Sequence, residues 1–227
     1  MVAGATGEVG RGAAYALAKE GAAITLVGRS SAKLQAIQET LPDTTLSSRM
    51  IVADYSTPEG TQELAKQVAD DKFDIVVASS GPWWNVQSLA TADPETLHKA
   101  VAANFQSQLN LYSILATKCT GQYLMINGSA ANGLPHSGLT GVLARACVGA
   151  SMVMHHECSQ SNTLPDYTHV LVSSSVGHAQ FRSETLDPND FGNVFVAMAL
   201  KKHAVDEQGT TYVDDAYYKE LVAKLAE

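Results

Sequence analysis

The chain is expected to fold as a single α/β domain over residues 1–227, a doubly wound parallel sheet flanked by helices in three layers. Three observations predict this. Short, near-continuous apolar runs, as strands buried on both faces require, alternate with stretches of helical periodicity. A glycine-rich segment follows the first apolar run directly. The 227 residues, 45% hydrophobic and 17% charged, suffice for one large core, and no linker divides them.

The elements follow in order along the chain. A first strand ends at Ala3. It is short beside the usual five or six residues: either native residues precede Met1, the favoured expectation, or the strand is unusually short. Residues 8–20 read as a helix stopped by Gly21, 22–27 as a strand, and 31–40 as a helix ending before Pro42. Residues 50–53 form a strand. Thr57-Pro58-Glu59 supplies a cap and a first-turn proline for a helix to about residue 70. The clearest strand is 73–78. Asp93-Pro94-Glu95 opens a long helix to about residue 118, and strand 123–126 follows it. Residues 139–159 form a helix apolar almost all round, which must be buried on several sides. Strand 169–172, a helix from Asp187-Pro188 to His203, a short strand at 211–213 and a helix opened by Asp214 complete the chain. Right-handed crossovers between such strands give the doubly wound sheet.

Composition excludes several functions. Fifteen Lys and Arg against 23 Asp and Glu give a net charge of −8, and no basic cluster is present that would hold nucleic acid or an anionic membrane. The longest apolar run, 194–200, is far below the roughly 18 residues of a membrane span. The first ten residues lack the basic and apolar regions of a signal peptide. Three cysteines, at 119, 147 and 158, match no zinc spacing, which suggests a reducing, cytoplasmic setting. His155-His156-Glu157-Cys158 resembles a metal motif, but neighbouring helical residues point about 100° apart, so no metal is expected there. Gly128-Ser129-Ala130 lacks the full elbow of a serine hydrolase.

Gly4-Ala5-Thr6-Gly7-Glu8-Val9-Gly10 sits at the first strand-to-helix turn of a βαβ unit. There glycines allow a tight turn and close approach of a pyrophosphate to backbone N–H groups, as in a Rossmann-type nucleotide site. At the end of the second strand an acidic residue would favour NAD. The chain instead has Arg29, whose planar guanidinium suits a 2′-phosphate, with Ser30 and Ser31 as further donors. A solvated loop arginine is the plainer alternative. The expected cofactor is NADP(H).

With these residues in place, the chain resembles the short-chain dehydrogenase/reductase family over nearly its whole length. The glycine pattern is similar to the family's extended and atypical forms. Asp54 matches the aspartate that contacts adenine, Ser80-Gly81 falls in the segment after the fourth strand, Asn104 matches the helix asparagine, and Ser129 matches the catalytic serine. The resemblance implies cofactor contacts from Gly4, Thr6, Gly7, Glu8, Val9, Gly10, Arg29, Ser30, Asp54, Tyr55, Ser80, Gly81, Val176 and Gly177. The family's Y-x-x-x-K motif falls, in this register, on Gly141 and Arg145, and its P-G after the sixth strand on Val176-Gly177; the threonine just beyond falls on Phe181.

These replacements matter chemically. Gly141 has no side-chain proton to give. Arg145 stays charged, yet can hydrogen-bond a ribose hydroxyl. The implied catalytic set is therefore Ser129, Asn104 and Arg145, with His136 on the following loop as a proton donor. His178 is a second candidate, and Tyr167 and Ser137 are weaker ones. Trp83 and Trp84 stand where they could wall an apolar substrate pocket. The leading expectation is an NADP(H)-dependent oxidoreductase acting on a small carbonyl, enone or imine. A non-redox NADP(H)-binding sensor or regulator, or an isomerase or cyclase, is the alternative. The apolar helix at 139–159 matches one that packs between subunits in the family, so a homodimer or homotetramer is expected.

Overall fold

The computed structural model describes residues 1–81, 87–133, 137–177 and 185–225. The strands are β1 (Val2–Ala3), β2 (Ile24–Gly28), β3 (Ser48–Val52), β4 (Phe73–Ala78), β5 (Cys119–Gly128), β6 (Asp166–Val172) and β7 (Thr210–Val213). All pair in parallel in one sheet of order β3-β2-β1-β4-β5-β6-β7. The chain thus starts at the centre and winds to one edge. It then returns beside β1 and winds to the other edge. Val2 is opposite Leu26 on one side and Val77 on the other, and the strand order reverses between β1 and β4. Such a switch point opens a crevice at the C-terminal ends of the strands.

Alternation along the strands sorts the core into two layers. Val2, Leu26, Val77, Leu124 and Val170 pack against α1 (Glu8–Lys19), α2 (Ser31–Glu39), α7 (Pro188–Phe191), α8 (Asn193–Ala199) and α9 (Asp215–Ala223). Ala3, Val27, Val76, Tyr123 and Met125 face α3 (Pro58–Gln67), α5 (Ser107–Leu115) and α6 (Gly138–Ser159). The three-layer expectation holds.

Three elements differ from their sequence expectation. The long helix expected over 94–118 is divided into α4 (Pro94–Val101), a π-turn (Ala102–Gln106), α5 and a 3₁₀ turn (Ala116–Lys118). Within the widened turn, side chains take backbone acceptors: Asn104 Nδ2 donates to Ala100 O at 3.1 Å, and Ser107 Oγ to Ala103 O at 2.7 Å. The helix expected to run to His203 is two pieces, parted at Gly192 and ended at Ala199, with Lys201 turned to φ +55°. Strand β5 is longer than its apolar stretch, because Cys119 and Gln122 pair with Phe73 and Ile75.

Candidate active site

A cleft of about 1830 Å³ opens over the C-terminal ends of the strands, lined by the loops that follow β1 to β6. The loop after β1 forms its floor. Gly4 takes φ +76°, and a Cβ there would stand 1.9 Å from Ser79 O; a Cβ on Gly10 would stand 2.3 Å from Gly4 O. Only glycine lets α1 and β4 close on this turn. Gly4 N and Ala5 N donate to Val27 O at 3.0 and 3.2 Å, locking the loop to β2. Gly7 caps α1 without a side-chain bond, so the first N–H groups of the helix have no side-chain cap. Gly4, Thr6, Gly7, Glu8 and Val9 line the cleft. Gly10 is buried behind them and serves the close packing. The Glu8 carboxylate accepts from Arg11 Nε and Nη2 at 2.9 and 2.7 Å, which offsets its charge beside the loop.

Arg29, Asp54 and Tyr55 all line one end of the cleft, together with Lys33. Lys33, in the first turn of α2, was not singled out in the sequence, where a lysine on an amphipathic helix reads as an ordinary solvated side chain. Ser30 is placed differently from the sequence expectation of a phosphate donor. It is not on the cleft lining; its hydroxyl accepts from Lys33 N at 3.4 Å as the N-cap of α2. Asp54 holds its own turn, accepting from Ser56 N at 3.1 Å and Ser56 Oγ at 2.6 Å. Burial pushes Tyr55 up to about 12, so it is a neutral wall.

The other end carries Ser80, Gly81, Asn104, Ser129 and Val176, all named from the sequence, on its lining. Ser80 Oγ and Ser107 Oγ are 2.6 Å apart. Gln108 Nε2 donates to Ser80 O at 3.0 Å and Ile126 O at 3.1 Å, tying the ends of β4 and β5 to α5. Ser129 opens a 3₁₀ turn (Ser129–Asn132) directly after β5. Ser173, Ser174 and Ser175 follow β6 into the cleft. Gly177 lies off the lining at φ +72°, where a Cβ would meet Glu8 Oε2 at 2.4 Å.

Helix α6 presents Ser137, Thr140, Ala144 and Cys147 to the cleft, with Ser137 at its N-cap. Sequence reasoning missed Thr140, Ala144 and Cys147. Cys147 Sγ donates to Asn104 O at 3.5 Å, filling a carbonyl of the π-turn, and burial pushes its thiol up to about 12. Gly141 is buried and Arg145 is exposed, its Nη1 donating to Ala131 O at 3.1 Å. Neither is among the residues that line the cleft. Tyr167 is also away from it, in the core, its hydroxyl on Met125 Sδ at 3.1 Å. His136, His178, Trp83, Trp84 and Phe181 lie outside the described residues. Among the described residues no group of three potential ligands could hold a metal, and no helix is long and apolar enough to cross a membrane.

The comparisons agree with this geometry. A family model described as short chain dehydrogenase matches residues 1–134. A short-chain dehydrogenase/reductase from Vibrio parahaemolyticus shares 21% identity at a TM-score of 0.72, covering 93% of this chain and 97% of its own. A Shigella flexneri 2a chain, solved in complex with NADP, shares 20% identity at a TM-score of 0.75, covering 93% and 94%. The bulky-bulky ketone specific alcohol dehydrogenase of Comamonas testosteroni shares 15% identity at a TM-score of 0.75, covering 99% and 91%. No curated protein matches the sequence. At these identities the structural likeness concerns the fold.

Proposed function

Since the chain belongs to the short chain dehydrogenase family, we propose that it is an atypical member: an NADP(H)-dependent oxidoreductase acting on a small carbonyl, enone or imine. The observation that carries the cofactor choice is the pair of cations, Arg29 and Lys33, at the end of β2 in the cleft. A 2′-phosphate fits them; an acidic residue there would favour NAD instead. The glycine cradle and the α1 N-terminus fit the pyrophosphate, and Asp54 and Tyr55 the adenine side.

When bound, NADPH supplies a hydride at the reaction end. There Ser129 donates a hydrogen bond to the substrate oxygen, and Asn104 shapes the wall through its π-turn. Gly81 and Val176 border the nicotinamide side. Arg145 steadies the 129–132 turn through Ala131 O, and the sequence candidate for the proton donor is His136. A second reading, an NADP(H)-binding non-redox protein such as a sensor, regulator or isomerase, is favoured by one observation. The i, i+4 pair that α6 turns to the cleft is Thr140 and Ala144, and the family register places Gly141 and Arg145 at its tyrosine and lysine. The protein is proposed to work in the cytoplasm as a homodimer or homotetramer.

Titration of the protein with NADPH and NADH, followed by nicotinamide emission, tests the cofactor choice. NADPH is expected to bind in the micromolar range and NADH far more weakly. Arg29→Ala is expected to weaken NADPH by roughly tenfold or more, the loss of one charge-assisted hydrogen bond of about 1.5–3 kcal/mol, and to leave NADH unchanged. Equal affinity for both dinucleotides would remove the NADP(H) assignment. NADPH oxidation with a carbonyl, enone and imine panel then separates the two readings.

A further inference from the structure

The space beside Gly141 is taken. A Cβ on Gly141 would stand 1.9 Å from Ser137 Oγ and 2.8 Å from Ser137 Cβ, so only glycine at 141 lets Ser137 lie where it does. The same position is 3.7 Å from the carbonyl oxygen of Ala130, the residue after Ser129. Ser137 is therefore wedged beside the turn that carries Ser129. At the N-cap of a helix, a serine hydroxyl ordinarily accepts from the N–H of the second or third helical residue; Ser137 makes no such bond. It is only 8% exposed, and it lines the cleft together with Ser129 and Thr140. Its O–H also donates to no acceptor among the described residues, so that donor is open to a ligand in the cleft.

We propose that Ser137 is a second hydroxyl donor to the substrate's carbonyl oxygen, beside Ser129, and that Gly141 is present to admit it. The inference rests on the reductase reading above and narrows its substrates to neutral ketones and enones. As hydride adds to the carbonyl carbon, the C=O π pair moves onto oxygen. That oxygen then takes a proton, from water where the candidate donor His136 does not supply it, and NADPH becomes NADP⁺. Two hydroxyls aimed at the same oxygen stabilise the charge that develops on it.

Steady-state NADPH oxidation on a panel of neutral ketones and enones, with NADPH affinity measured separately for each variant, tests this. Ser137→Ala is expected to lower kcat/KM by ~10²-fold, chiefly in kcat, with NADPH affinity unchanged. Gly141→Ala is expected to do the same by expelling Ser137, although a glycine-to-alanine change ordinarily strengthens a helix. In a Ser137→Gly background Gly141→Ala should add nothing. Should Ser137→Ala prove insoluble, Gly141→Ala carries the test. Wild-type turnover by Ser137→Ala, or by Gly141→Ala, overturns the inference while leaving the reductase reading intact. NADPH binding without turnover of any panel member removes both.

Discussion

His169 lies inside β6, fully buried, and neither ring nitrogen has a hydrogen-bond partner among the described residues. Burial holds its pKa down at about 4, with only a small opposing pull from Asp206. In the unfolded chain the same ring titrates near 6.5. Between those values the unfolded state binds more protons than the folded one, so stability rises with pH across the window. The stabilising contribution is complete above about pH 6.5 and is lost as the pH falls towards 4, on the order of 3 kcal/mol in all. Urea midpoints measured from pH 7 to pH 4 should therefore fall steeply, and His169→Leu should flatten that slope. An unchanged slope would mean that His169 is not the group responsible. At this scale the sequence is an uneven guide. Asp54, Asn104 and Ser129 reach the cleft from positions their motifs specify. Ser30 is off the lining, and its hydroxyl oxygen accepts from Lys33 N as the cap of α2, a role that a serine at a strand-to-helix junction suits as well as phosphate binding. Lone histidines such as His169 carry no periodic signal of their burial.

Helix ends are the most legible elements, since caps are local chemistry. Thr57, Asp93, Asp187 and Asp214 each accept from a backbone N–H at the start of the helix that they open, as their sequence context predicts. Thr57 Oγ1 accepts from Gly60 N at 3.1 Å, with Pro58 fixing the first turn of α3. Thr57→Ala is expected to cost about 1 kcal/mol, a fall of roughly 2–4 °C in Tm for a chain of this size. Thr57→Ser should restore most of it, and a melt unchanged by Thr57→Ala would show the cap to be idle. Interiors of helices are harder to read. A spacing of four fixes which residues of α6 share a face but not which way that face points. At 100° per residue, a phase offset of one turns Thr140 and Ala144 to the cleft in place of Gly141 and Arg145. The π-turn at 102–106 was equally hidden, because its extra residue per turn depends on side chains reaching Ala100 O and Ala103 O, not on apolar periodicity.

At the scale of the whole molecule, the strand order follows from the chain's alternation of buried strands and helices, and with it the place of the cleft. What one chain leaves unfinished is the outer side of α6. Its sequence is apolar almost all round, which predicts burial on several sides, yet Val142, Met152 and Val153 are 47%, 45% and 59% exposed. Exposed apolar side chains scattered singly need no explanation; three on one helix, spaced over three turns, form a stripe. Helix α5 runs beside it, with Tyr112 Oη donating to Glu157 at 3.1 Å and to Met154 O at 3.4 Å, so the two helices present a joined surface. A second copy of the chain laid against this surface would bury the stripe by twofold symmetry, each α6 covering the other. The mass in solution at micromolar concentration is therefore expected to be two or four times 24.0 kDa. Val153→Asp puts a charge in the middle of the stripe. Because Val153 contributes little to the core of its own chain, the variant should stay folded, with an unchanged circular dichroism spectrum, and dissociate towards 24.0 kDa. A wild-type protein that sediments as a monomer would remove the assembly, and an oligomer indifferent to Val153→Asp would place the interface on another face.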